Sequence, residues 1–286
     1  MNQDLDAPEM RGAGARPATA KPCPQQREPT RPGLTRLAQG LRATGTRSLV
    51  QLHHGGVRAD PGLAGRIIAP FDDSETGTVA MDGGDVRQMI QDYVAAAVRA
   101  EQAGFDGVEV RGAHGFLIAH FLDRSNQRSD GYGGSLEHRM RALLEVLAGI
   151  RSATGDGFQV GMRLRQEASG SPLDEGREVA LQVLNGGVVD FVDKSMRDVY
   201  ATPHYEGDND SLLIDAFTSL PRGDTVLSGT GCVLSADDAA WCLSKGRRRR
   251  RNRHRRDPAP RLRPPCPRRS RLQSTTSASV PRRAAF

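Results

Sequence analysis

Five times along this chain a short apolar run gives way to a helical pattern. The runs lie at residues 48–54, 107–113, 158–164, 188–192 and 225–228. Helical stretches between and after them keep their apolar residues on one side. The clearest is Val86 to Gln102, with Val86, Met89, Ile90, Tyr93, Val94, Ala97 and Val98 on one face, Asp82 and Asp85 as candidate caps and Gly104 as the stop. Strand and helix in alternation specify βα units and a parallel sheet, either doubly wound or curled into a barrel. No Gly-x-Gly-x-x-Gly follows the first strand, which removes the main support for a dinucleotide-binding doubly wound fold. The rhythm suits a (β/α)8 barrel of which five strands can be counted.

The second run carries the chemistry. In Gly107 to Ala113, Val108 and Val110 alternate with Glu109 and Arg111, so charge enters a segment that should be buried. Such charge is costly unless paired or used. His114 and Phe116 follow at the carboxyl end, where parallel α/β folds place their sites. A polar loop of about twenty residues then precedes the helix at Leu136–Ala153, too long for a mere connection.

Charge divides the chain into three. Residues 246–286 hold fifteen Arg and a single acidic residue, Asp257, for a net of +14. Residues 1–33 are near neutral. The chain as a whole is +6, so residues 34–245 carry −9. The basic balance belongs to the tail, and an acidic domain is a poor natural ligand for nucleic acid. Residues 1–33 and 247–286, rich in Pro and Arg, are expected to be disordered, and 34–246 to form the domain. The tail lacks interleaved aromatics, so it supports at most non-specific attraction to phosphates. The four cysteines, at 23, 232, 242 and 266, form no Cys-x-x-Cys, so neither a disulfide framework nor a zinc site is expected, and a reducing cytoplasm fits. His53-His54 has no third ligand at suitable spacing. No apolar run approaches a membrane span, and the first residues are not a secretory signal.

Residues 48–245 resemble the old yellow enzyme family of NADH:flavin oxidoreductases. The likeness is carried by Gln51-Leu-His-His-Gly-Gly56, Ala103-Gly-Phe-Asp-Gly-Val-Glu109, Gly112-Ala-His-Gly115, Phe121-Leu, Asn126, Arg128-Ser-Asp-Gly-Tyr-Gly-Gly-Ser-Leu-Glu137, Arg139 and Val160-Gly-Met-Arg-Leu164. The resemblance implies an FMN-binding (β/α)8 TIM barrel in which the five strands are the third to the seventh. It implies NAD(P)H as reductant and an activated alkene or related small molecule as acceptor. Gln51 would meet the flavin pyrimidine edge; read alone it is a polar residue of a barrel interior. Arg163 would lie beside flavin N1, where a fixed cation stabilises the charge of the reduced ring; read alone it is a salt-bridged strand-end residue. Gly231 would belong to the phosphate cradle, or simply to a turn. His114 would donate to the acceptor's oxygen, where a lone core histidine would otherwise be the plain reading.

Two positions depart from the family pattern. Arg111 stands where the family's first His is expected, and it is larger and always charged. Phe116 stands where a proton-donating Tyr is usual, and it has no proton to give. No counterpart of the family's first two strands is found, and past Gly246 an Arg run replaces the eighth strand and its phosphate-binding Gly-Arg pair. That abrupt change resembles a shift of reading frame, which translating the other frames beyond codon 246 would test. A catalytically inactive, truncated barrel and a basic-tailed anion-binding protein are therefore the alternatives to an active flavoenzyme.

Overall fold

A computed structural model describes residues 3–6, 30–165, 167, 172–196, 198–203 and 212–246. The stretches expected to be disordered, 1–33 and 247–286, fall outside these residues except at Gln3–Asp6 and the start of the first helix. In chain order the elements are β1 (Gln3–Asp6), α1 (Thr30–Ala43), β2 (Leu49–His53), α2 (Pro61–Ala64), β3 (Ile68–Ala69), β4 (Val79–Ala80) and α3 (Gly83–Ala103). There follow β5 (Gly107–Gly112), α4 (Leu117–Leu122), α5 (Leu136–Ala153), β6 (Gln159–Arg165) and α6 (Leu173–Asn185). Last come β7 (Phe191–Ser195), α7 (Leu213–Thr218), β8 (Val226–Thr230) and α8 (Ala236–Gly246).

The main sheet runs β1-β2-β5-β6-β7-β8, every pairing parallel. Its order is the chain order, with β3 and β4 set aside as a separate pair. A doubly wound sheet reverses at a switch point; this one winds one way throughout, as a (β/α)8 barrel does. It is an incomplete barrel: among the described residues its sheet has six strands. The five strands expected from sequence are β2, β5, β6, β7 and β8. β1 is an addition, since four residues with one apolar side chain among them carry no periodic signal.

The two faces of the sheet differ sharply. Val50, Leu52, Val108, Val110, Val160, Met162 and Val192 point to the helices and are fully buried. Burial of each such side chain stabilises by about 1.5–3 kcal/mol. Against them lie Val86, Met89, Tyr93 and Ala97 of α3 and Leu143, Val146, Leu147 and Ile150 of α5. Helix α3 starts as expected, with a reciprocal cap between Asp82 and Asp85, and stops at Gly104 with φ 98. Alternate residues face the barrel interior: Gln51, Glu109, Arg111, Arg163, Asp193, Ser195, Ser228 and Thr230.

Two expectations need correction. A strand was expected at 188–192, but β7 lies three residues later and pairs Met162 with Val192 and Arg163 with Asp193. The apolar run Val188–Val192 straddles the strand's start, because Val189 buries itself before the ladder begins. The long polar loop after β5 is not all loop. It opens with α4, whose Leu117, Ile118, Phe121 and Leu122 sink into the core. The rest is tied down by Asn126, whose Nδ2 donates to the Phe121 and Tyr132 carbonyls at 2.8 and 2.7 Å. Buried Arg139 donates to the Leu122 and Gly134 carbonyls and pairs with Glu175 at 2.9 Å.

Lys194 is the exception on the helix-facing side. It is 2% exposed and its Nζ sits 3.5 Å from the centre of the Phe217 ring. A ring face returns about 2 kcal/mol or somewhat more to a desolvated cation. Desolvating an ammonium costs several kcal/mol, on the order of the whole buried-ion penalty. Desolvation wins, so the amine is held well below the ordinary lysine range, with the charge of Asp193 acting in the opposite direction. Cys242 is a free thiol, whereas Cys232 is disulfide-bonded, against the expectation for this chain. Among the described residues no helix is long and apolar enough to cross a membrane.

Gly161 makes a testable contact. A Cβ there would fall inside the Phe191 ring, which lies across it from the neighbouring strand. Gly161→Ala is expected to destabilise by about 1–3 kcal/mol in urea unfolding. Adding Phe191→Leu should recover part of that loss, because the two positions share one space. Equal midpoints for Gly161→Ala and the wild-type chain would show that the ring does not sit there.

Candidate active site

At the carboxyl ends of the strands the interior face carries a continuous row of polar contacts. Gln51 on β2 donates from Nε2 to the carboxylate of Glu109 on β5. Its Oε1 accepts from Arg111 Nη1 at 2.8 Å. Arg111 Nη2 reaches His114 Nδ1 at 3.3 Å, and His114 Nε2 lies 2.9 Å from Ser195 Oγ on β7. Ser195 Oγ in turn accepts from Arg163 Nε and Nη2 at 3.2 and 3.1 Å, and Arg163 Nη2 also reaches Thr230 Oγ1. Asp193 closes the row, 3.4 Å from Arg163 Nε and bonded to Ser228 Oγ at 2.7 Å.

A guanidinium can only donate. His114 Nδ1 therefore accepts from Arg111, which leaves the ring proton on Nε2 and directs it at Ser195 Oγ. Burial holds the His114 pKa below its ordinary value, and Arg163, Arg111, Arg58 and Arg165 push it the same way. The ring is neutral at neutral pH. Its backbone stands at φ 62, left-handed for a non-glycine residue, and Gly115 follows at φ 73. Two such residues in succession are those of a type I′ turn. That conformation costs on the order of 1–3 kcal/mol and needs its surroundings to hold it; Arg111 and Ser195 grip both ring nitrogens. Glu109 is buried, and its pKa is raised chiefly by desolvation, with Gln51 and the two arginines opposing.

Phe116 caps α4 and packs against this row. The Arg111 guanidinium lies 4.0 Å above its ring centre, and His53 meets the ring edge-on at 4.9 Å. Gly231 is not part of the row. It lies just beyond β8 at φ 147, where a Cβ would collide with the Met196 carbonyl. Close backbone approach alone accounts for a glycine there. Five of the six residues expected from sequence thus come together, and Gly231 does not. Ser195, Asp193 and Thr230 were missed. The misplaced strand start hid the alternation Asp193, Ser195 that marks one face of β7.

Residues 27–209 match the NADH:flavin oxidoreductase / NADH oxidase family. The chain belongs to this family. An NADH oxidase of Thermoanaerobacter brockii is 36% identical over 54% of this chain and 26% of its own length. An NADPH dehydrogenase of Clostridium acetobutylicum is 35% identical over 57% of this chain and 50% of its own. The structure of old yellow enzyme from Pichia sp. AKU4542 superposes with a TM-score of 0.56 at 25% identity, covering 72% of this chain and 64% of that one. The chain thus spans less than two thirds of each of these relatives.

As a member of the NADH:flavin oxidoreductase family, the chain departs from the expected pattern in a coupled way. Arg111 does not block the mouth of the site but folds back on Gln51, His114 and Phe116. In 15N spectra of the imidazole, His114 should appear neutral and protonated on Nε2 at pH 6.5. Arg111→Met removes a repelling charge, so the titration of His114 should move to higher pH. A downward move, or a ring already charged at pH 6.5, would contradict the contacts described.

Proposed function

We propose that this chain is an FMN-dependent oxidoreductase that takes reducing equivalents from NAD(P)H and reduces an activated alkene or related small acceptor. The observation that carries the reading is the row of donors at the open end of the strands, Arg111, His114, Ser195 and Arg163. The row fits FMN along the edge of its ring. Arg163 is partly exposed, and among the described residues its Nη1 has no hydrogen-bond partner, which leaves one cationic donor for the flavin N1–C2 edge. FMN, when bound, supplies the hydride chemistry.

The remaining roles belong to the protein's own side chains. Ser195 and Thr230 fix the plane of the Arg163 guanidinium. Gln51 offers its amide to the pyrimidine edge after exchanging its bond with Glu109. His114, neutral and with its proton on Nε2, donates to the acceptor oxygen. Ser195 Oγ accepts that hydrogen bond within the protein, and the acceptor oxygen takes its place when substrate arrives. Phe116 shapes the wall but moves no proton, so the proton that completes alkene reduction comes from solvent. Gly231 remains a candidate for the phosphate end by its position after β8. A cytoplasmic pool of NAD(P)H would supply the reductant. A second reading, a catalytically inactive barrel, draws on one observation: both ends of the Gln51 amide are already engaged within the protein.

Flavin uptake decides between them. After addition of FMN and removal of the excess, the protein should keep a visible flavin spectrum that NADH or NADPH bleaches. Arg163→Lys keeps a charge beside Asp193 but loses the planar fork, and FMN should bind roughly ten- to a hundredfold more weakly. In the loaded protein, Phe116→Tyr supplies the missing proton and should raise alkene turnover at least about tenfold, since a placed general acid is worth ~10²–10⁴. A protein that stays colourless supports the inactive barrel. Unchanged turnover in both Phe116→Tyr and Arg111→His would take this strand off the substrate face.

A further inference from the structure

Lys194 belongs to none of the contacts above. It lies on β7 but points away from the polar row, to the side where the strands otherwise carry valine, leucine and methionine. Among the described residues its Nζ has no hydrogen-bond partner. It borders a cavity of about 640 Å³ between β7, β8, α7 and α8. The other walls are mostly apolar, with Met196, Ile214, Phe217, Leu227 and Leu243 among them and the hydroxyls of Thr218 and Ser228 at their margins. That volume is in the range of sites for small organic ligands. The sequence adds a second point. Of 40 basic residues in the chain only three are lysine, Lys21, Lys194 and Lys245. Arginine cannot shed its proton in a protein, and lysine can. The one basic residue sunk in this apolar wall is of the type that can become neutral there.

We propose that this cavity binds small apolar aldehydes and that Lys194 Nζ condenses with their carbonyl carbon to form a reversible imine. The Nζ lone pair forms the new carbon–nitrogen bond. The carbonyl carbon–oxygen bond then breaks, and the oxygen leaves as water with the two amine protons. Nothing is oxidised or reduced, and no flavin takes part, so the site is independent of the function proposed above. An uncharged amine in an apolar pocket is the activated form of this nucleophile. The same pocket disfavours carboxylates, which an uncharged amine cannot neutralise.

The charged and titratable groups on the elements around the cavity leave Lys194 alone. Asp193 precedes it but is turned to the opposite face and paired with Arg163. Asp215 of α7 pairs with Lys245 of α8 at 2.9 Å. Asp238 of α8 accepts from Tyr200 at 2.8 Å. The Cys242 thiol is pushed up by burial and stays protonated.

The test treats the full chain with hexanal and cyanoborohydride and maps the alkylated lysines by peptide mass spectrometry. At pH 7, Lys194 should take the hexyl group at least about tenfold faster than Lys245 or Lys21, because each unit of lowered pKa raises the free-base fraction about tenfold. Between pH 7 and 9 its rate should climb less steeply than theirs. Hexanol, which fills the cavity but has no carbonyl, should protect Lys194 and neither of the others. Lys194→Met should keep the far-UV spectrum and lose only the fast label. Equal rates at all three lysines, or no protection by hexanol, overturns the proposal.

Discussion

The polar face of this sheet exists only because its charges are matched along a single row. Glu109 and Asp193 are negative, Arg111 and Arg163 positive, and all four reach one another through Gln51, His114 and Ser195. Buried charge of either sign costs several kcal/mol when left alone, and removing one partner of a buried pair typically costs about 3–5 kcal/mol. The row therefore specifies structure as well as chemistry. It fixes which residue of each strand faces inward, since a one-residue slip would put guanidinium groups against the valines of the other face. It also holds both ring nitrogens of His114, whose backbone is left-handed.

The opposite face works by simpler rules, and the contrast explains the roles of the family's most recognisable residues. Asn126 and Arg139 touch none of the row. They hold carbonyl groups of the turn after α4, and a Cβ on Gly133 would run into the Arg128 amide and the Asn126 side chain. This stretch makes the chain recognisable because its backbone has only one way to close over the core. Many of the residues most telling for family membership are thus architectural, and the two departures from the pattern, Arg111 and Phe116, both face the site.

That division accounts for what could be read from sequence. Alternation of strand and helix, the Asp82 cap, the Gly104 stop and the face of α3 are local signals, and the structure repeats them. Gln51, Arg111, His114, Phe116 and Arg163 were legible through the resemblance. Ser195, Asp193 and Thr230 were not. Their meaning depends on register, and the run Val188–Val192 offers the stronger hydrophobic signal three residues early. Helix α4 was hidden for a related reason: six residues make under two turns, too few for periodicity to separate a helix from an apolar loop. β1 is a matter of backbone pairing, which leaves almost no trace in a four-residue sequence. Lys194 could not be placed at all, since its burial depends on helices α7 and α8 arriving over β7.

Arg111 and Phe116 illustrate why the altered positions should be considered as a pair. A guanidinium at the mouth of a substrate pocket would normally project into it. Here the Phe116 ring lies 4.0 Å below that group, and Gln51 and His114 accept its hydrogen bonds. A tyrosine at 116 keeps the ring face, so it can restore a proton donor without releasing Arg111. A histidine at 111 does the reverse: it frees the ring face, leaves Gln51 Oε1 without its donor and removes the charge that helps keep His114 neutral. The two substitutions are therefore unequal steps toward the family pattern. The first changes what the wall can donate, and the second rearranges the row on which the fold of that wall depends.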